Sequence, residues 1–381
     1  PAAELYNMTP RRLLYDITRN KILRAVYSER QLFERVVDHW TDQFNIVAFK
    51  DHCRWLKPAE DRDVIRAHAM GRFRELVRAS ATSGAMLIYL DGHDNKVEED
   101  GDKPNENYAR ELLELHCMGV GSGYTQQDIF EAARCLSGWT YTNRPFSGAG
   151  ARVAFDPARH DNGQKEVLGV VIPAGGGADD LERLLDIVVT HPATARYQAQ
   201  RLCRRFIHDD PPEAAIGEVA AAFTQSGGDI TAALRALFKT PAFNDPAARG
   251  ALFRRPFGFI AATLRATDAS TDGREAVMDA LERMGHAPFQ YPTPDGYPME
   301  AAPWHGTLLH RWNFAAGLAA GTLGGCAIDP AFIDDAGRDP LAAVAGLWGR
   351  TPTDAEAPLL TDLPPREAIG LALAAPAFMC C

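Results

Sequence analysis

Over most of its length the chain alternates apolar and polar positions at the spacing of a helix. Residues 10–50 carry two apolar stripes: Leu13, Leu14 and Ile17 on the first, then Leu32, Val36, Val37 and Trp40 on the second. The same period predicts a third helix over 60–80, with Val64, Phe73, Leu76 and Val77 on one face. From Ala85 to Leu90 the run is wholly apolar and too short for periodicity to separate a buried helix from a strand. Helices return after Ala178, one to about Val189 and another opened by His191 and Pro192. Further helices follow at 213–226 and 229–239, and two more over 254–285. Between these blocks, residues 140–178 lose the helical period. Gly, Pro, Asn and Asp dominate there, with short extended pieces at 152–155 and 166–172, and Asp161-Asn162-Gly163 predicts a hairpin turn. The expected fold is mainly α, a multi-helix orthogonal or bundle-like array with a small irregular or β-hairpin insert around 140–178. It divides into an N-terminal helical region over 1–139, the insert, and a C-terminal helical region over 179–381 packed as one unit with the first.

The densest chemistry lies at 104–139. Pro104 suits a helix start, and Leu112, Leu113 and Leu115 supply its apolar stripe. Helical spacing puts Asn107, Glu111 and Glu114 on one face and lets Glu106 pair with Arg110. His116 and Cys117 close the helix, and Gly119, Gly121 and Gly123 break it. Thr125 with Asp128 then caps a second helix to about Leu136, which delivers Trp139 at its far end.

Composition changes this picture at a few points. At 381 residues a sizeable core is assured, and a net charge of -10 argues against a general nucleic-acid binder. No apolar run is long enough for a membrane-spanning helix. The first residue is Pro1 rather than methionine, so a processed or trimmed product is expected. The seven cysteines form no C-x-x-C pair. Cys117 and Cys135 flank the glycine break, either as small buried residues, as a disulfide across it, or as a redox thiol. The zinc helix H-E-x-x-H, the nucleophile elbow G-x-S-x-G and the phosphate-binding glycine loops are absent. Leu113, three residues before His116, also breaks the Glu-x-x-His pattern of di-iron bundles.

What remains is a constellation. Glu106, Tyr108, Glu111, His116, Cys117 and His160 are the catalytic candidates, because carboxylates beside histidines can serve as acid and base. Glu114, His116, His160 and His191 are the candidate metal ligands, and Trp139, His191 and Trp304 the candidate cofactor-binding residues. His191 opens a helix, where the dipole disfavours an imidazolium. The same side chains could instead form a polar network tying the central helix to the insert. A third arrangement is a protein-derived cofactor, made by oxidative coupling of Cys117 to a nearby aromatic or His. His39 and Asp42 belong either to a packed turn or to a site, and the loop 285–306 either staples helices or walls a pocket.

NENYARELLELH, the glycine break, GYTQQD and ARCLSGW resemble the signature of the bacterial domain-of-unknown-function 1800 family. HDNGQKEVLG, HPATARYQAQRLCRRFI and PTPDGYP extend the resemblance over nearly the whole chain. It implies a periplasmic or secreted protein, because members usually begin with a secretion signal, and a secreted sulfatase-like companion whose genes often lie beside theirs. It implies no reaction. Two function classes follow: an oxidative or metal-assisted enzyme, oxidoreductase or hydrolase, using a metal ion or a cross-linked side-chain cofactor; or a non-catalytic binding or assembly partner of that companion.

Overall fold

A computed structural model describes residues 5, 7–98, 102–142 and 152–381. The fold is mainly α-helical, with three two-stranded antiparallel pairs among the described residues. The first two helices are Pro10–Tyr27, capped by the Thr9 hydroxyl, and Gln31–Gln43.

The third predicted helix is two helices. Cys53–Ala59 starts before the expected boundary and runs on as a π-helix over Glu60–Arg66. Pro58 lies inside it and has no N–H to donate back to the preceding turn, and the helix widens immediately after. The chain then breaks at Gly71–Arg72, where backbone from elsewhere competes. Phe73 N donates to Gly228 O at 2.8 Å and Ile230 N to Gly71 O at 2.9 Å, so residue 72 pairs with Asp229. Helix resumes over Phe73–Ala81. The apolar run after it is a helix, Gly84–Tyr89, because the Ser83 hydroxyl caps Met86 N.

In the insert, Trp139–Thr142 pairs with Arg152–Phe155, and Lys165–Val167 with Val170–Ile172. The hairpin turn is not at Asp161–Gly163. It falls at Leu168 and Gly169, with φ of 52° and 76°, the paired positive angles of a two-residue hairpin turn. Asp161 instead accepts from Gly163 N at 2.8 Å, making a local Asx turn. The insert is held to the helices by buried ion pairs. Arg134 Nε reaches Asp161 at 2.7 Å, and Lys165 Nζ reaches Asp180 Oδ2 at 2.7 Å with both side chains fully buried.

Two apolar clusters form the interior. One gathers residues from Val36 to Leu237 and takes Val167 and Ile172 from the insert, so it packs both sides of that insert together. The other gathers residues from Phe257 to Met379 and takes Ile22 and Val26 from the first helix. Between them lies a buried charge cluster. Lys21 Nζ sits 2.8 Å from Asp38 Oδ1, Arg205 and Arg255 bind Asp38 Oδ2, and Arg255 also binds Asp42 at 2.5 Å. Asp42 is thus a structural carboxylate, and His39 packs edge-on to Trp40 at 4.6 Å.

The loop after Gly285 crosses this junction. Asn45 Nδ2 donates to Tyr291 O and Thr293 O, Tyr89 Oη donates to Pro292 O, and Trp304 stacks on His286 at 5.0 Å. Gly296 closes the crossing at φ 72°, where a Cβ would stand 2.1 Å from Asp42 O. Gly296→Ala is expected to lower unfolding stability by at least about 2 kcal/mol, from the left-handed backbone and the clash together. Urea unfolding of the variant measures it, and a change within about 0.5 kcal/mol would mean that the loop is not anchored there.

Candidate functional site

The helix Asn107–Glu111 widens into a second π-helix over Leu112–Cys117, closed by Met118 N on Leu113 O. A wider turn rotates the side chains that follow, and here it turns His116 inward. The His116 ring is fully buried, 4.7 Å from Phe44 and 6.1 Å from Tyr108. Gln43 and Gln198 hold its carbonyl at 2.8 and 2.9 Å, yet neither ring nitrogen has a hydrogen-bond partner. Burial, with the positive Arg201 beyond it, pulls the imidazole down to about 3, so the ring is neutral at ordinary pH.

Three more interior polar groups continue from it. The Tyr108 hydroxyl is buried without a partner, and burial first, then Cys117 and Glu60, push the phenol well above its usual range. Glu60 opens the other π-helix and is buried, with no hydrogen bond of normal geometry to either oxygen. Burial raises its carboxyl to about 7, while Lys57 and the Ser83 hydroxyl offset part of the rise. Lys57 is buried, its ammonium lacks a hydrogen bond, and burial lowers its pKa despite Glu60. Lys57, Glu60, Tyr108 and His116 therefore form a row, each within electrostatic or ring contact of the next. Glu60 can exchange a proton near neutrality. His116 stays neutral and Tyr108 keeps its proton there, and both can offer hydrogen-bonding atoms.

A groove of about 700 Å³ lies between the first helix, the Glu275–Arg283 helix and the loop after Gly285, and no residue of the row lines it. Leu14, Tyr15, Thr18, Met278, Pro288 and Gln290 are among its walls. The buried Thr18 hydroxyl there has no partner. Phe289, between two wall residues, turns its buried ring to the ammonium groups of Lys57 at 5.6 Å and Lys21 at 5.1 Å. Its φ of 65° is rare for a bulky residue and marks stored strain. The loop thus staples and walls at once.

Of the residues singled out from sequence, Tyr108, His116 and Cys117 come together here. Lys57 and Glu60 were missed, and Pro58 was the available signal, because a proline inside a helix forces its turns to readjust. Glu106 ties the two signature helices at the surface, 3.0 Å from Arg110 and 2.5 Å from Gln126. Glu114 stands 3.6 Å from Arg110, and burial, Glu114 and Asp295 together raise the half-buried Glu111 carboxyl. His160 is committed elsewhere: its Nδ1 donates to Ser137 O at 2.8 Å and its Nε2 lies 3.1 Å from Asp180. His191 caps the Pro192–Phe206 helix through Ala193 N. Trp139 packs on Phe155 at 5.6 Å, and Trp304 donates to Pro298 O at 3.1 Å. Glu114, His116, His160 and His191 are therefore not gathered into a metal centre: among the described residues no three His, Cys, Asp or Glu side chains are placed to hold one. Trp139, His191 and Trp304 likewise lie on separate elements, and the buried Trp139 Nε1 has no hydrogen-bond partner. Cys117 and Cys135 are free, buried thiols rather than a disulfide, and burial raises both, which disfavours a reactive thiolate.

A family model described as "Protein of unknown function (DUF1800)" matches residues 4–380. No curated protein and no solved structure matches the chain.

The neutral His116 makes stability depend on acid. The unfolded chain takes up this proton below 6.5 and the folded chain not until about 3, so stability present above 6.5 is lost as pH falls through that window. His116→Gln removes the dependence. Across the upper half of the window the wild type is expected to lose on the order of 2 kcal/mol more than the variant. Urea midpoints at stepped pH test this; parallel curves would show an ordinary, accessible histidine.

Proposed function

Since the chain belongs to the DUF1800 family of proteins of unknown function, a membership that carries no activity with it, we propose from the site alone that it is an enzyme of metal-free acid–base chemistry. Glu60 exchanges the proton, Tyr108 and His116 hold hydrogen-bonding atoms of the substrate or of an intervening water, and Lys57 balances charge. The groove beside Phe289 is the approach. Its lining sets Leu14, Met278 and Pro288 beside the charged Arg11, Arg54, Glu275, Asp279 and Glu282, which suits a small molecule with an apolar body and polar substituents.

One observation carries this reading. The molecule contains a structural polar network, His160–Asp180–Lys165, whose members bind one another. In the row from Lys57 to His116 the side-chain polar atoms are buried and unpartnered. Each such group costs about 1–3 kcal/mol, so a chain that keeps four of them side by side in its core gains something other than stability from them. Both π-helices of the described residues open onto this row, and such widened turns cluster at functional sites.

A second reading rests on Tyr108 and Cys117, neighbours whose electrostatic contact helps to raise the phenol pKa. Oxidative coupling would join Cys117 sulfur to a Tyr108 ring carbon. The S–H and ring C–H bonds would break, their two protons and two electrons would pass to dioxygen, released as hydrogen peroxide, and the new S–C bond would leave a redox cofactor. Intact mass after full reduction separates the two readings, because only the coupled form keeps a deficit of two hydrogens. The extracytoplasmic location and the sulfatase-like companion belong to this proposal through family resemblance. Five of the seven thiols are buried, which shields them in an oxidising compartment.

Glu60→Gln tests the main reading without a known substrate. The folded pKa of Glu60 is raised from 4.5 to about 7, so its stability contribution is full below 4.5 and lost as pH rises through 7. The variant is expected to be more stable than the wild type above that window, by up to about 3 kcal/mol. It is also expected to lose at least about a hundredfold of any turnover found by metabolite screening of the wild type. A variant that is less stable at neutral pH and equally active would assign Glu60 to structure and favour the binding-partner reading.

A further inference from the structure

A second polar cavity lies at the charge cluster, away from the row just described. It is small, about 30 Å³, roughly twice what one water needs. Five arginines line it: Arg35, Arg204, Arg205, Arg254 and Arg255.

The charges there do not balance. Asp38 is the carboxylate in the wall, and it is saturated by Lys21 on one oxygen and by Arg205 and Arg255 on the other. Asp42 binds Arg255, and Glu300 stands 3.6 Å from Arg204 at the rim. Six basic side chains therefore face three carboxylates, with Cys381 offsetting part of the charge on Arg254. Arg254 itself is spent on Phe378, through its carbonyl and over its ring at 4.8 Å. Arg35 makes no hydrogen bond or ion pair among the described residues. Arg205 is 6% exposed, and its Nε is buried and unpartnered, as is Nε of Arg204. The crowding is felt: burial first, then the like charges of Arg255 and Arg35, bring the Arg205 guanidinium down to about 9.

Backbone adds to the same sign. The Pro256–Ala266 helix begins at this cavity, and Gly258 in its first turn is part of the wall. First-turn N–H groups sit at the positive end of a helix; here Pro256 has none, Phe257 N is held by His286 Nδ1 at 3.2 Å and Phe259 N by Arg255 O at 2.8 Å, which leaves Gly258 N. The glycine also leaves room, since a Cβ there would stand 3.2 Å from Arg35 Nη1.

We propose that this cavity binds a small oxyanion, the phosphate, sulfate or carboxylate group of a ligand, held by Arg35 and Arg204 at the mouth and by Arg205 and the first helical turn beneath. Guanidinium groups meet such oxygens in paired hydrogen bonds, and Arg205 beneath the cavity is already buried. The room fits one anionic group and not an extended molecule, so any remainder of the ligand lies outside the mouth.

Isothermal titration calorimetry of the full chain with inorganic phosphate, sulfate or acetate, at ionic strength fixed by chloride, tests the site. Saturable one-site binding is expected, with the order among the three anions identifying the group. Arg35→Gln is expected to weaken it by roughly tenfold or more, and because Arg35 holds no partner the variant keeps its unfolding midpoint. Heats that follow ionic strength alone, or equal affinity in a folded Arg35→Gln variant, would overturn the assignment.

Discussion

One carboxylate holds the two halves of this interior in register. Asp38 receives Lys21 from the first helix, Arg205 from the helix after His191 and Arg255 from the head of the Pro256–Ala266 helix. An isolated buried carboxylate would be far too costly to keep ionised. Three cations reverse that, and the coulombic pull of Lys21, Arg205 and Arg255 overcomes burial to hold the Asp38 pKa well below its usual range. Such a cluster adds little net stability over an apolar substitute, but losing one member leaves the rest uncompensated, typically at about 3–5 kcal/mol. Its value is geometric. The bonds of Arg205 and Arg255 to Asp38 and Asp42 fix the register of the helices that carry the two apolar clusters. The same excess of cations that fixes the junction leaves a positive cavity beside it.

Buried polarity in this chain comes in two kinds, and the contrast separates scaffold from site. Around the insert, Arg134, Asp161, Lys165, Asp180 and His160 bind one another and tie extended segments to helices. Around Tyr108 the groups face one another unbonded. The difference begins in the backbone. Pro58 disturbs one helix and the next residues widen; the other helix widens where His116 must turn in. In each case a π-turn carries the inward-facing ionisable group.

The helices were legible in the sequence because local periodicity and capping decide them. The Thr125–Asp128 capping box and the Glu106–Arg110 pair stand where spacing puts them. Where long-range backbone contacts decide, the pattern misled: residues 71–73 leave the helix to pair with 228–230, and the hairpin turns at Leu168, a residue with no preference for positive φ. The site was half legible. Tyr108, His116 and Cys117 lie in the dense stretch, but Lys57 falls before the expected helix and Glu60 at its first residue, and only burial distinguishes them. The histidines misled in the opposite way. His160 and His191 have the right chemistry for ligands, yet a hairpin lock and a helix cap consume it.

The loop after Gly285 shows why stapling and walling need not be alternatives. Asn45 and Tyr89 bind the carbonyls of Tyr291, Pro292 and Thr293, which fixes the backbone of that segment, and Ala48 N does the same for Phe289 O at 2.8 Å. A loop pinned at that many points can hold Phe289 in a backbone conformation it would leave if free. The strained ring then covers Lys57, while Pro288 and Gln290 on either side face the groove. A core that keeps unbonded polar groups needs such a cover, because water admitted permanently would partner them and remove the chemistry that their isolation creates.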